Sequence, residues 1–219
     1  MISDSLIIGT NGTDPEALEN LLSFTQIICR REFSVNNIAL RGAIAKGQFE
    51  MLEERHQGSL SLRLLLGQAY VDAYLMEGSL KTFGIILTNE VAEDMNEIND
   101  ISGFTTYEES NNKEVVTVLS YIDRNFFEDS HNLEVFVRLA VDAKWLPHYY
   151  NTLYYSCMKE AIGKSYTDGL FKRILAVIAG LSQANSKNID TFITKIFSEG
   201  VNEKFKNRFL SFIKRQMSV

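Results

Sequence analysis

The sequence predicts an α+β fold: residues 1–100 form an α/β sandwich with a mainly antiparallel sheet, and residues 101–219 form a mainly helical region. Three observations carry this. Short apolar, β-branched runs alternate with helical segments in the order β-α-β-β-α-β through residue 88. From Leu133 onward, apolar residues recur at helical spacing. The charge changes sign along the chain: residues 1–110 hold 7 Lys/Arg against 17 Asp/Glu, and residues 111–219 hold 15 against 11. An acidic first part joined to a mildly basic second part fits two substructures, or one face docking on the other.

Leu6-Ile7-Ile8-Gly9, bounded by the turn cluster Thr10-Asn11-Gly12-Thr13, reads as a buried strand. Asp14-Pro15-Glu16 opens a helix: a capping acid, a proline at the first helical position and an acid in the first turn. Leu18, Leu21, Leu22, Thr25 and Ile28 follow at helical spacing, and Arg30-Arg31 favour an end near Arg31-Glu32. Ile38 to Lys46 alternates as a strand, with Phe49 to Glu53 as its return. Gly67 would weaken a helix interior, so it is expected at the start of a helix running to Ser79. Phe83 to Thr88 is the next buried strand, Asn89 caps a short acidic helix, and a polar stretch from Asn96 to Asn112 separates the halves. One long helix from Leu133 to about Ala161, kinked at Pro147, is followed by helices over Tyr166–Gln183, Asn188–Glu199 and Val201–Gln216.

Composition excludes several classes. A net charge of −6 argues against a general nucleic-acid binder. The N-terminus lacks the basic and apolar regions of a signal peptide, and no run approaches the ~18 apolar residues of a membrane span. Cys29 and Cys157 sit in apolar helical contexts and read as buried free thiols of a reducing compartment, so a cytoplasmic protein is expected. The histidines His56, His131 and His148 are scattered, which leaves no zinc pattern.

Four stretches carry a resemblance. Ile2-Ser3-Asp4-Ser5 looks like an "F-S-D-S" segment, and Arg41-Gly42-Ala43-Ile44-Ala45-Lys46-Gly47 like an "R-G-G/A-I-x-x-G" strand. Gly67 to Glu77 looks like a "G-x-A-x-x-x-A-Y-x-L-E" helix with Met76 for the leucine, and Ala143 to Asn151 like a "K-Y-x-W-L-x-x-Y-x-N" helix. Together, in order and over roughly Met1 to Tyr155, these resemble the class III nucleotidyl cyclase catalytic domain, in its divergent bacterial branch that includes pyrimidine cyclases. That resemblance implies a dimer with nucleoside triphosphate sites between subunits, and two Mg²⁺ or Mn²⁺ ions held by two aspartates.

The departures from the pattern matter as much. The family's first aspartate lies on a strand for which this chain has no residues, which reads as an N-terminally truncated cyclase-like domain. Asp4 is the remaining candidate metal ligand, and Arg41 the candidate phosphate contact. Val71 and Leu75 stand where active members can place an asparagine and an arginine that stabilise the transition state. Asp72 falls one position beyond the asparagine and is not expected in catalysis. His148, Trp145, Tyr149 and Tyr150 read as structural. Phe205, Phe209 and Phe212 on a basic C-terminal helix are expected to dock on the body or on a second subunit. The expected protein is therefore a catalytically incomplete cyclase-like chain acting by homo- or heterodimerisation, nucleotide sensing or partner binding, without metal. The alternative is an active cyclase, using Mg²⁺ or Mn²⁺, whose missing aspartate comes from an upstream segment or another subunit.

Overall fold

A computed structural model describes residues 6–10, 12–55, 61–98, 104–111, 114–157, 164–185, 187–196, 207 and 209–212. The chain is α+β. Its contacts divide it into two units, one drawn from Met1–Cys29, Gly42–Ser79 and Ile85–Leu119, the other from Arg30–Arg41, Leu80–Gly84 and Ser120–Val219.

The first helix, α1 (Pro15–Asn36), starts as its sequence dictates. The Asp14 carboxylate accepts from the Ala17 N–H at 2.9 Å, and Pro15 occupies the first turn, where no amide is needed. It ends five residues later than the arginine pair suggested. The stop is Asn37, in the left-handed region at φ 58°, whose N–H donates to Phe33 O at 3.0 Å. Arg30–Asn36 belongs to the second unit.

In the first unit, β1 (Gly42–Ile44) is followed by the hairpin β2 (Glu50–Arg55) and β3 (Ser61–Leu66), then α2 (Gln68–Glu77) and β4 (Ile85–Leu87). After α3 (Asn89–Asp94) come β5 (Thr105–Asn111) and β6 (Glu114–Ser120). Four strands form a sheet in the order β1-β4-β6-β5, while β2 and β3 form their own antiparallel pair. The four-stranded sheet is mixed, which corrects the mainly antiparallel expectation. β1 and β4 are parallel, with Gly42 opposite Ile85 and Ile44 opposite Leu87; β4 and β6 are antiparallel, with Ile86 opposite Val118. The reason is the connection. The β2–β3 hairpin and α2 together form a long crossover that returns the chain to the same end, as parallel neighbours require. All three residues of β4 are buried, as suits a strand with neighbours on both sides.

Two other expectations change in this unit. Leu6 to Gly9 is not a strand, and Leu6 and Ile8 are exposed. The apolar run reports burial tendency rather than pairing; Ile8 instead borders Leu21, Phe24 and Ile27 of α1 around an open cavity of about 430 Å³. The stretch read as a polar separator contains β5, where Tyr107 is buried between exposed Thr106 and Glu108 in strand alternation.

The second unit is built from α4 (Ser130–Asp142), α5 (Pro147–Cys157), α6 (Lys164–Ala184) and α7 (Ile189–Ile196). The single long helix kinked at Pro147 is in fact two. Pro147 takes the first position of α5, where its missing N–H costs nothing, and the chain before it leaves helical geometry through Lys144 (φ 54°) and Trp145 (φ 52°). Trp145, Tyr149 and Tyr150 are buried, as expected of core aromatics. Phe136 packs against Phe33, Phe83, Phe127 and Tyr149, with ring centroids 5.1 to 6.4 Å apart. The apolar face near the C-terminus docks within this unit: Phe209 and Phe212 are buried against Phe171. Phe205 lies outside the described residues.

Candidate functional site

Two places carry the residues singled out by the sequence. The first is the junction between β1 and α2. Gly47, at φ 152°, brings the turn after β1 against Ala69, and Ala69 N–H donates to Gln48 O at 3.3 Å. Gly67 precedes α2 at φ 130°; a Cβ there would lie 2.1 Å from Gln48 O and 2.8 Å from Phe49 Cα. Gly67 is therefore required because two backbones touch, and Gly47 because of its positive φ. Beside them Thr88 N–H donates to Ile44 O at 3.1 Å, and Lys46 Nζ pairs with Asp94 at 2.7 Å. The Asp94 hydrogen bond raises the Lys46 ammonium above its ordinary range.

That junction aims α2. Val71, Tyr74 and Leu75 are 45%, 68% and 64% exposed, and none of the helix is buried. Positions three and four apart share a helix face, so these form one apolar stripe open to solvent. Hydrocarbon stands where the resemblance would place an amide and a guanidinium. Asp72 does not substitute for them, since its carboxylate is held by Gln68 Nε2 at 2.7 Å along the helix.

The second place lies in the helical unit. Tyr121 O–H donates to Leu40 O at 2.6 Å and fixes the segment that carries Arg41. Arg41 Nη1 donates to His148 Nε2 at 3.1 Å. A guanidinium only donates, so this nitrogen must be the acceptor and the imidazole is neutral. From the other side, Asn151 Nδ2 donates to Lys81 O at 2.9 Å, and Thr152 Oγ1 accepts from Phe83 N–H at 2.8 Å. His148, Asn151 and Thr152 share one face of α5, so the Lys81–Phe83 segment is strapped along it, with the Phe83 ring 5.6 Å from the imidazole. His148 is half-buried. Its pKa is lowered, first by burial and then by the positive charges of Arg41 and Lys81.

Asp4 lies outside the described residues. Among those described, no group of three or more His, Cys, Asp or Glu is placed to hold a metal ion. No described helix is long and apolar enough to cross a membrane. Cys29 and Cys157 are buried and free; burial pushes both thiols up to about 12, which keeps them protonated and unreactive. Of the residues flagged in the sequence, Arg41 gains His148 as partner, while Val71 and Leu75 share one exposed face of α2. The Arg41–His148 pairing was not legible, because the two residues are separated by 107 positions and meet only through the fold.

No protein-family model, curated protein or solved structure matches this chain.

Proposed function

We propose that this chain is a divergent, cytoplasmic nucleotide cyclase-like protein that lacks catalytic equipment of its own and acts by self-association and nucleotide sensing. The observation that carries the reading is the α2 stripe. The Gly47–Gly67 junction holds α2 in a defined position on β1 and β4, yet its outer face carries Val71, Tyr74 and Leu75 in place of polar groups. An apolar stripe on a well-anchored helix suits a protein contact better than transition-state stabilisation, which needs donors aimed at developing charge. In this reading Arg41 is the contact for the phosphates of a bound nucleoside triphosphate. The two protonated, buried thiols suit a reducing cytoplasm.

Sedimentation velocity tests the contact. The wild-type chain is expected to self-associate with a weight-average mass that rises with concentration. Leu75→Glu puts a charge on the exposed stripe without touching the core, and is expected to shift the population to monomer. A wild-type chain that stays monomeric at every concentration removes the self-association part of the reading.

A further inference from the structure

One hydrogen bond in the helical unit exists only while an imidazole is neutral. Arg41 Nη1 donates to His148 Nε2 at 3.1 Å, so the lone pair of that nitrogen is occupied and the ring proton sits on Nδ1. The surroundings fix both sides of this contact. Tyr121 O–H holds Leu40 O at 2.6 Å and so sets the segment that carries Arg41. Asn151 and Thr152, on the same face of α5 as His148, hold Lys81 O and Phe83 N–H at 2.9 and 2.8 Å. The Phe83 ring lies 5.6 Å from the imidazole and covers that side with hydrocarbon. The charges that act on the ring are those of Arg41 and Lys81, both positive, while Asp142 of α4 acts on the neighbouring Tyr149. Arg41 is exposed and His148 half-buried, so a proton reaches the ring from solvent.

We propose that the Arg41–His148 contact is an acid-released tie: a proton taken up at Nε2 removes the acceptor, and α5 lets go of the segment that carries Arg41. The imidazolium that results donates from both nitrogens, and a guanidinium only donates, so the bond cannot form in acid. Arg41 takes part in further interactions, so acid takes the partner from His148 and leaves the guanidinium its other contacts. The Tyr121, Asn151 and Thr152 hydrogen bonds do not involve the imidazole, so they remain and the change is local to one side of α5. The fold lowers the His148 pKa, first by burial and then by the two positive charges. The stability that this neutral form contributes is therefore whole above the unfolded-chain value of about 6.5. It is lost as pH falls through that value toward the lower folded one. No nucleotide is needed for this device.

The test uses the full chain without ligand. The His148 ring signal, assigned by its absence in His148→Gln, is titrated by NMR from neutral to acid pH, and the Arg41 Nε–H signal is followed in parallel. The two are expected to move with one midpoint, below the ordinary histidine range. Arg41→Met removes donor and charge together at an exposed position, and is expected to raise the His148 midpoint by about half a pH unit or more. Urea unfolding reads the tie a second way. The wild type is expected to lose stability from neutral to acid pH more steeply than His148→Gln, whose amide oxygen accepts a hydrogen bond at every pH. A His148 midpoint at or above the ordinary range overturns the proposal, as does an Arg41 signal indifferent to that midpoint. So does a midpoint that Arg41→Met leaves in place, or a wild type and His148→Gln that lose stability in parallel. The wild-type titration decides by itself where a variant does not fold.

Discussion

Gly67→Ala is expected to destabilise the protein by about 3 kcal/mol or more, the sum of an unfavourable backbone conformation and an overpacked contact. The added Cβ would meet Gln48 O at 2.1 Å, Gln48 C at 2.7 Å and Phe49 Cα at 2.8 Å. All three are backbone atoms and cannot swing aside as the end of a side chain can. The φ of 130° is also one that L side chains rarely adopt. Relief requires α2 to move away from the turn after β1, which breaks the Ala69–Gln48 hydrogen bond. Urea unfolding followed by circular dichroism measures the loss. Gly78→Ala is the control: it sits at φ −75° with its nearest neighbour 4.0 Å away, and is expected to change stability little. A Gly67→Ala protein as stable as the Gly78→Ala one would mean that the two backbones do not touch.

Phe136→Ala is expected to cost about 3–5 kcal/mol, the range for truncating a fully buried aromatic. Phe136 is 0% exposed and meets four aromatic rings, from α1, α5, the Lys81–Phe83 segment and the short helix at Asn125–Glu128. Removing it leaves a cavity bounded by large rings that cannot collapse together without leaving their own packing positions. The chain has one tryptophan, Trp145, buried in the same unit, so fluorescence during urea unfolding reads this loss directly. Phe136→Leu keeps most of the volume and is expected to recover more than half of the stability.

Local chemistry made much of the fold legible, and distant pairing hid the rest. Asp14-Pro15 marked the start of α1 because a capping acid and a first-turn proline act within three residues. Gly67 marked the start of α2 because a glycine so placed pays for itself only at a close approach. Asn37 was a readable stop that two arginines obscured; a left-handed asparagine ends a helix more firmly than a favourable charge does. Pro147 was noticed but given the wrong role, since a proline that kinks a helix and one that begins the next look alike in sequence. The parallel pairing of β1 with β4 could not be read from either strand, as it depends on the intervening hairpin and helix acting as one crossover. Leu6 to Gly9 shows the converse: β-branched residues favour a strand only where a partner strand is placed beside them. At the candidate sites, Val71 and Leu75 were legible as neighbours on one helix face because residues four apart lie one turn apart. The Arg41–His148 pair was not, because its residues lie 107 positions apart.

The most direct measurement of the central claim is product formation. The purified chain is incubated with each of ATP, GTP, CTP and UTP in Mg²⁺ and in Mn²⁺, and cyclic nucleotide is sought by mass spectrometry. A chain that senses nucleotide without transforming it is expected to leave all four intact, with no 3′,5′-cyclic product. Sustained formation of a cyclic nucleotide that disappears in Asp4→Ala would contradict the account, and would mean that self-association assembles a working metal site.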